Sequence, residues 1–207
     1  MKKIRVSIEG DGKVTIRLKK RPVVETRDTG RAFAAAGGDL LLSSFLISQM
    51  EIRVESVFRQ GQSDVEIAYA LSGSTYPDML HKFSSNEVVA HPAQDRIIMA
   101  AEKMAEHILR ERPDAPNIIV GVHTHLDGAA ELSGQDISSM PGIAAKLKER
   151  IAGVNVVFAV HAVSRESPRA RAQPVKIAVN RITWNSITRR HEVAFFNEKA
   201  EPVGISI

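Results

Sequence analysis

The chain has 207 residues, of which 43% are hydrophobic, so it is long enough for one domain with a sizeable core and short for two. It contains no cysteine, which excludes disulfide bonds and thiolate metal sites and leaves histidine, aspartate and glutamate as possible metal ligands. Its net charge of +4, from 28 Lys and Arg against 24 Asp and Glu, is small for a nucleic-acid-binding protein.

The first elements are expected to be a hairpin and a helix. Residues 3–9 and 13–18 alternate apolar and polar side chains on either side of a glycine-containing turn, which predicts a β-hairpin. Residues 21–38 have no clear period and are expected to form a connecting loop or a third strand. Apolar side chains recur at helical spacing through residues 39–60, which predicts a helix with Asp39 as its N-cap.

The next apolar segment carries one acidic residue. Residues 65–71 (VEIAYAL) predict a strand with Glu66 near its start. A buried carboxylate costs several kcal/mol unless it is paired or hydrogen-bonded, so Glu66 is a candidate for chemistry. An ordinary solvent-facing glutamate on an edge strand is the alternative. Glu51 and Glu55 are competing acids, but both fall inside the predicted helix.

A long segment without periodicity follows and leads into a second helix. Residues 74–92 are expected to form a loop with at most one strand, and loops of this length in compact domains are often functional. His81 and His91 in this loop are expected to be surface histidines. Residues 93–112 have the apolar spacing of an amphipathic helix, on which His107 is expected to be structural.

Two histidines and an aspartate follow in a pattern that suits a metal ion. The apolar run at 118–122 predicts a strand that delivers His123 and His125 to one side, because successive strand side chains alternate faces. Ser133 and Asp136 then form Ser-x-x-Asp, the pattern of a capped helix N-terminus. Two imidazoles and a carboxylate can hold zinc and leave its fourth position for water.

The remaining elements are a helix, a buried strand and two further strands. Pro141 is expected in the first turn of a third helix that closes at Gly153. Residues 154–163 are nearly all apolar, as in a strand buried on both faces, and its His161 is expected to be a core histidine or, alternatively, a partner of a metal ligand.

The C-terminal part combines a charged loop with strand patterns. Residues 164–174 are expected to be a mobile loop, and residues 175–184 and 187–196 are expected to be two strands. Seven of the eight charged residues between 165 and 190 are basic, so this end is locally positive. Most such clusters are solvated faces, and a surface for an acidic partner or nucleic acid is the alternative.

The spacing His-x-His, seven residues, then Ser-x-x-Asp resembles the signature of the JAMM (MPN+) zinc metalloprotease family. It is matched by His123, His125, Ser133 and Asp136, although Leu126 stands where the family usually has proline. Glu66, followed by IAYALSG, fits the position of the family's catalytic glutamate. The resemblance covers roughly residues 39–163.

The resemblance implies an activity and a role for each residue. His123, His125 and Asp136 would hold one Zn²⁺ ion, Glu66 would serve as the base, and Ser133 would hydrogen-bond the developing oxyanion. The expected reaction is hydrolysis of isopeptide or amide bonds in conjugates of ubiquitin or ubiquitin-like modifiers. In the family, an insertion at the position of residues 74–92 helps to grip the substrate's extended tail. Residues 164–174 fall where the family has a second insertion and are expected to be another substrate-gripping element.

The implied fold is α/β: a mixed sheet flanked by helices, resembling the MPN/JAB fold, which is cytidine-deaminase-like. The chain then divides into an N-terminal hairpin with its connecting segment (1–38), a JAMM/MPN-like metalloprotease domain (39–196) and a C-terminal tail (197–207). Because no apolar run approaches the roughly 20 residues of a membrane helix, we expect a cytoplasmic protein without membrane contact.

Three other functions stay open. One is a metal-free MPN-like scaffold in a larger protein complex, although such proteins typically lack the ligand set. Another is a nucleic-acid-associated protein using the basic C-terminal residues, which is disfavoured because only Trp184 is near them for base stacking. The last is a peptidase or amidase acting on small substrates, since metal ligands define a reaction and not a pocket.

Overall fold

The computed structural model describes residues 4–8, 14–18, 39–60, 66–84, 87–91, 96–164, 166, 168 and 170–207. Three helices lie in this part of the chain: α1 (Ser44–Arg59), α2 (Ala101–Glu111) and α3 (Gly134–Arg150). The strands are β1 (Ile4–Ile8), β2 (Val14–Leu18), β3 (Leu40–Leu41), β4 (Ala68–Gly73), β5 (Met79–Lys82), β6 (Val88–His91), β7 (Arg96–Met99), β8 (Ile118–Leu126), β9 (Asn155–Val163), β10 (Ala172–Ala178), β11 (Arg181–Asn185), β12 (Arg190–Asn197) and β13 (Ile205–Ser206). None of the described helices is both long and apolar enough to cross a membrane.

A seven-stranded mixed sheet is the centre of the fold. Its order is β10-β11-β12-β9-β8-β4-β5, and β8 and β9 are its one parallel pair. α3 connects these two parallel strands, as a crossover connection between parallel neighbours requires. The predicted mixed sheet flanked by helices is therefore confirmed.

The sheet separates two apolar layers, and alternate residues of each strand belong to different layers. On β4, Ala68 and Ala70 pack into the layer that contains α2 and α3. Tyr69 and Leu71 pack into the layer that contains α1. This alternation decides which side chains of β8 and β9 can meet, and it places the two faces of the sheet in separate environments.

Among the described residues, three two-stranded sheets lie outside the main sheet. β1 pairs antiparallel with β2, which confirms the two strands of the predicted hairpin, while its turn and residues 21–38 lie outside the described residues. β3 pairs in parallel with β13, and β6 pairs antiparallel with β7. The last two pairings were not predicted, because each strand has only two to four residues.

The first helix begins later than predicted. Ser43, not Asp39, is the N-cap of α1, and its hydroxyl accepts a hydrogen bond from the Leu46 amide at 3.2 Å. Asp39 instead accepts a hydrogen bond from the Ser206 hydroxyl at 2.8 Å, because Leu40 and the following residue are extended against β13. Both residue types cap helices well, so local pattern alone did not separate them.

The segment before α2 forms strands where a loop and a helix were predicted. Residues 74–92 contain β5 and β6, and the predicted helix over 93–112 is reduced to α2 because β7 occupies its first part. The β-branched pair Ile97-Ile98 favours strand conformation, and β6 provides the hydrogen-bonding partner.

Two further boundaries differ from expectation. α3 begins directly after Ser133, so Pro141 lies inside the helix and not in its first turn. Residues 175–184 divide between β10 and β11, so three strands replace the two that were predicted C-terminal to residue 174. The turn between β10 and β11 includes Asn180. Its side-chain Nδ2 donates a hydrogen bond to the Phe195 carbonyl at 3.0 Å.

Candidate metal centre

The end of β8 brings two histidines together. His123 and His125 share one face of the strand, and their Nε2 atoms are 3.1 Å apart. Their side chains are 15% and 21% exposed, so both can be reached from solvent. His125 Nδ1 lies 3.4 Å from the Ala129 carbonyl, a contact that favours a proton on Nδ1 and leaves Nε2 as a metal donor.

Asp136 completes a cluster of three. The chain leaves β8 through Asp127, which adopts a left-handed backbone with φ of 53°. Helix α3 then begins after its N-cap, Ser133, and the first turn of this helix presents Asp136 to the histidines. Asp136 Oδ1 lies 3.4 Å from His123 Nε2, and its Oδ2 lies 3.8 Å from His125 Nε2.

A capping box holds Asp136 in place. The Ser133 amide and hydroxyl both donate to Asp136 Oδ2, at 2.7 and 2.6 Å, and the Ser133 hydroxyl accepts from the Asp136 amide at 3.2 Å. Burial alone raises the pKa of Asp136, but the hydrogen bond and charge of His123, together with the Ser133 donors, lower it to well below its usual range. The carboxyl group is therefore ionised at neutral pH.

The spacing of these atoms fits a tetrahedral cation. Ligands about 2.0 to 2.2 Å from a zinc ion stand roughly 3.4 Å from each other along the edges of the tetrahedron. The two Nε2 atoms are 3.1 Å apart, and an Asp136 oxygen approaches each of them, Oδ1 at 3.4 Å from His123 and Oδ2 at 3.8 Å from His125, so the separations are close to that value. These three side chains could hold a metal ion.

Glu66 lies beside the same cluster. It precedes β4 by two residues, and Ala68 pairs with His123 across the antiparallel ladder. The pairing continues beyond the strand, since the Thr124 amide donates to the Ile67 carbonyl at 2.9 Å. Glu66 therefore shares the face of Ala68, which is also the face of His123.

A cavity of about 300 Å³ joins these residues. Its polar wall includes Glu66, both histidines, Ser133 and Asp136, which are all of the site residues that the sequence predicted. Its apolar lining comes from β8, β9, α3 and the loop before α3, and consists of Leu126, Leu132, Met140, Ile143 and Phe158. A carboxylate, a candidate cation site and an apolar wall thus face one space.

The structure decides between the two expectations for His161. On β9, Val160 is paired with His123, so its neighbour His161 faces the opposite layer and cannot support the metal ligands. His161 is fully buried and bonds to the Tyr69 hydroxyl at 2.8 Å and to His191 at 3.0 Å. It is the core histidine that was expected.

A second group of possible ligands was not predicted. His81, His107 and Glu111 approach within metal-binding range and could hold a metal ion. The expectation that His81 is a surface histidine is wrong, because its side chain is fully buried. The side chain of His91 lies outside the described part of the chain. β5 and α2 bring His81 and Glu111 together across 30 residues of sequence, a separation that no local pattern reports.

Several basic residues near the C-terminus are engaged within the protein. Arg171 pairs with Glu51 at 3.5 Å, and Lys176 pairs with Asp39 at 3.4 Å. The Arg189 guanidinium lies 4.2 Å from the centre of the Phe58 ring. The side chains of residues 165 and 169 lie outside the described residues. Three of the seven basic residues between 165 and 190, Arg171, Lys176 and Arg189, thus contact other side chains of the protein.

In comparisons with known proteins, no family model matches the chain and no curated protein gives a significant match.

Proposed function

We propose that this protein is a zinc-dependent hydrolase of the JAMM (MPN+) type that cleaves isopeptide or amide bonds. The observation that carries the proposal is the convergence of His123, His125, Asp136 and Glu66 on one cavity. A mixed sheet with helices on both sides is compatible with the MPN/JAB architecture. The donor set of two imidazoles and one carboxylate is that of catalytic zinc sites with one open position.

The chain supplies three ligands that are ready to accept the ion. Asp136 is ionised and held by the α3 cap, and His125 is oriented by the Ala129 carbonyl. Zinc bound there would activate a water molecule and polarise the substrate carbonyl. Both effects make attack on an amide possible near neutral pH.

Glu66 is the proposed proton carrier. It lines the cavity on the same face as the histidines, so its carboxylate can take a proton from the attacking water. The protonated carboxyl group can then give that proton to the departing amine. One residue thereby serves both proton transfers, and no cysteine nucleophile is available in the chain.

Ser133 is the proposed donor to the developing oxyanion. Its single hydroxyl proton is given to Asp136 in this structure, at 2.6 Å. That proton cannot serve Asp136 and a substrate at once. The Ser133 role therefore requires its hydroxyl to turn toward the cavity, while the Ser133 amide keeps its own bond to Asp136.

The proposed substrates are ubiquitin-like proteins joined to lysine. This assignment comes from the resemblance of the His-x-His and Ser-x-x-Asp spacing to JAMM isopeptidases. The cavity is lined by apolar side chains as well as by the metal-ligand cluster, a combination that suits a peptide tail presenting one carbonyl. Residues 74–92 and 164–174 are the proposed substrate-gripping segments.

A comparison of the parent with Glu66→Gln tests the proposal. The parent should contain about one zinc at this site and cleave lysine-linked ubiquitin dimers or related β-grasp conjugates. Glu66→Gln should keep that zinc and lose at least about 100-fold in turnover, which is the usual contribution of a general base. Glu131→Gln is the matched control, because Glu131 is 69% exposed and does not line the cavity.

Two results would refute parts of the proposal. Undiminished cleavage by Glu66→Gln would remove Glu66 as the base. Failure of His123, His125 and Asp136 to bind zinc when it is offered at neutral pH would remove the enzyme proposal and favour a non-catalytic MPN-like scaffold.

A further inference from the structure

A second cluster of metal-binding side chains lies between β5 and α2. His81 Nδ1 is 2.7 Å from Glu111 Oε2, and His107 Nε2 is 3.2 Å from Glu111 Oε1. His107 and Glu111 are four residues apart on α2, so they share one face of the helix. The carboxylate thus lies between two imidazole nitrogens that come from different elements.

One of these nitrogens lacks a hydrogen bond. The His107 side chain is 8% exposed, and its buried Nε2 has no hydrogen-bond partner among the described residues. Glu111 Oε1, at 3.2 Å, is close enough to His107 Nε2 for an ion pair, but the geometry of this contact is not that of a hydrogen bond. Buried polar atoms in proteins are nearly always bonded, so this nitrogen calls for a missing partner.

The other ring nitrogen of each histidine is already held. His107 Nδ1 contacts Glu87 Oε1 at 2.5 Å, and His81 Nε2 contacts the Ser72 hydroxyl at 2.8 Å. Metal-ligating histidines usually donate their second N–H to an acceptor of this kind, which directs the free lone pair at the ion. His107 can therefore present an unprotonated Nε2 to the space beside Glu111. His81 Nδ1 instead donates to Glu111 Oε2 in this structure, so a cation bound there would replace that proton, and the Ser72 hydroxyl would accept a hydrogen bond from Nε2.

Arg110 and Glu87 both contact His107 Nδ1, and hydrogen-bond chemistry decides which of them is its partner. Arg110 Nη2 also lies 2.8 Å from His107 Nδ1, but a nitrogen that donates to Glu87 cannot accept from Arg110. The carboxylate contact is shorter and involves a charged acceptor, and Arg110 also reaches Glu87 Oε1 at 3.3 Å. We therefore assign the Nδ1 proton to the bond with Glu87, which leaves the Nε2 lone pair facing Glu111.

We propose that His81, His107 and Glu111 form a second metal site, for Zn²⁺ or a divalent cation of similar preference. Two imidazoles and one carboxylate suit zinc, and a positive ion would relieve the contact between a lone pair and a carboxylate. His81 is fully buried, whereas Glu111 is 37% exposed and gives the ion a route from solvent. The site is separate from the cluster on β8 and does not depend on the proposed hydrolysis.

The position of the cluster indicates a structural role. Glu87 directly precedes β6 and contacts His107, and Val88 at the start of β6 pairs with Met99 at the end of β7, so the base of the β6–β7 hairpin lies beside the cluster. His81 lies on β5, the edge strand of the main sheet. An ion held here would fasten that edge strand and the base of the hairpin to α2.

The test measures zinc binding in a chain whose first site has been removed by His123→Ala and Asp136→Ala. This chain should bind about one Zn²⁺ per molecule in equilibrium dialysis, and saturating zinc should raise its melting temperature by about 5 °C or more. Adding Glu111→Gln should weaken zinc binding at least tenfold and abolish the rise. Glu106→Gln is the matched control, because Glu106 is an exposed acid on the same helix.

Two outcomes would overturn the proposal. The chain without the first site could bind no zinc, in which case a proton occupies the space that we assign to the metal. Alternatively, the zinc could survive Glu111→Gln unweakened and would then lie elsewhere. The unaltered chain gives a second measurement in case the double variant folds poorly, since Glu111→Gln should lower its zinc content by about one ion per chain, whatever the occupancy of the first site.

Discussion

His161 and His191 form a buried pair on the α1 side of the sheet. We expect this pair to make the free energy of unfolding depend on pH. His191 bonds to His161 at 3.0 Å and stacks against Trp184, with ring centres 4.9 Å apart and planes within 5°. Burial lowers the pKa of His191 from 6.5 to about 4, although the Glu55 carboxylate opposes the change, and Arg189 lowers it further. Folding therefore disfavours the protonated form of His191.

The sign and size of the effect follow from linkage. The pKa of His191 is lower in the folded protein than in the unfolded chain. The stability that results from this difference is therefore fully present above pH 6.5 and is lost as pH falls toward about 4. The free energy of unfolding should be about 2 kcal/mol lower at pH 5 than at pH 7.5 through this residue alone. The pKa of His161 is also lowered by burial and by His191, so its contribution has the same direction.

Urea unfolding at the two pH values, followed by circular dichroism, measures this dependence in the parent and in His191→Asn. The asparagine amide can replace the Nδ1 contact to His161 but does not titrate. A loss of stability that is equal at both pH values cancels in the comparison. The variant should lack about 2 kcal/mol of the parent's pH dependence. An equal pH dependence in both chains would refute the assignment to His191.

Three further predictions concern single residues. Ser133→Ala removes the α3 cap and should lower the unfolding free energy by about 1 kcal/mol, or the melting temperature by roughly 2 to 4 °C, whereas Ser138→Ala should change little. Gly73→Ala should prevent stable folding as judged by thermal melts, because an added Cβ would lie 1.7 Å from the Tyr76 carbonyl oxygen. Gly142→Ala should instead stabilise by about 0.5 to 1 kcal/mol, since it lies within α3 with open space around it.

Short-range patterns identified the candidate metal centre. Strand alternation places His123 and His125 on one face, and a capping box depends on residues three positions apart. Both rules depend only on residues two or three positions apart, so they do not require knowledge of the tertiary structure. The approach of Asp136 to the histidines needed only the short loop between β8 and α3, so it too was open to prediction.

Features that depend on distant contacts escaped prediction. His81 meets Glu111 across 30 residues, and Tyr69 meets His161 across 92. Ile97 fitted a helical period, but its pairing with β6 made it part of a strand. Local pattern is weak evidence where helix and strand compete, because the partner that decides the outcome lies elsewhere in the chain.

The cap of α3 also provides a spectroscopic reporter. The Ser133 amide donates directly to Asp136 Oδ2, so its proton resonance is sensitive to any change in charge at that carboxylate. In a chain labelled with nitrogen-15, binding of a cation beside His123 should therefore change the chemical shift of the Ser133 amide. This measurement does not require the substrate to be known. The helix terminus thus records the occupancy of the site in a signal that requires no added probe.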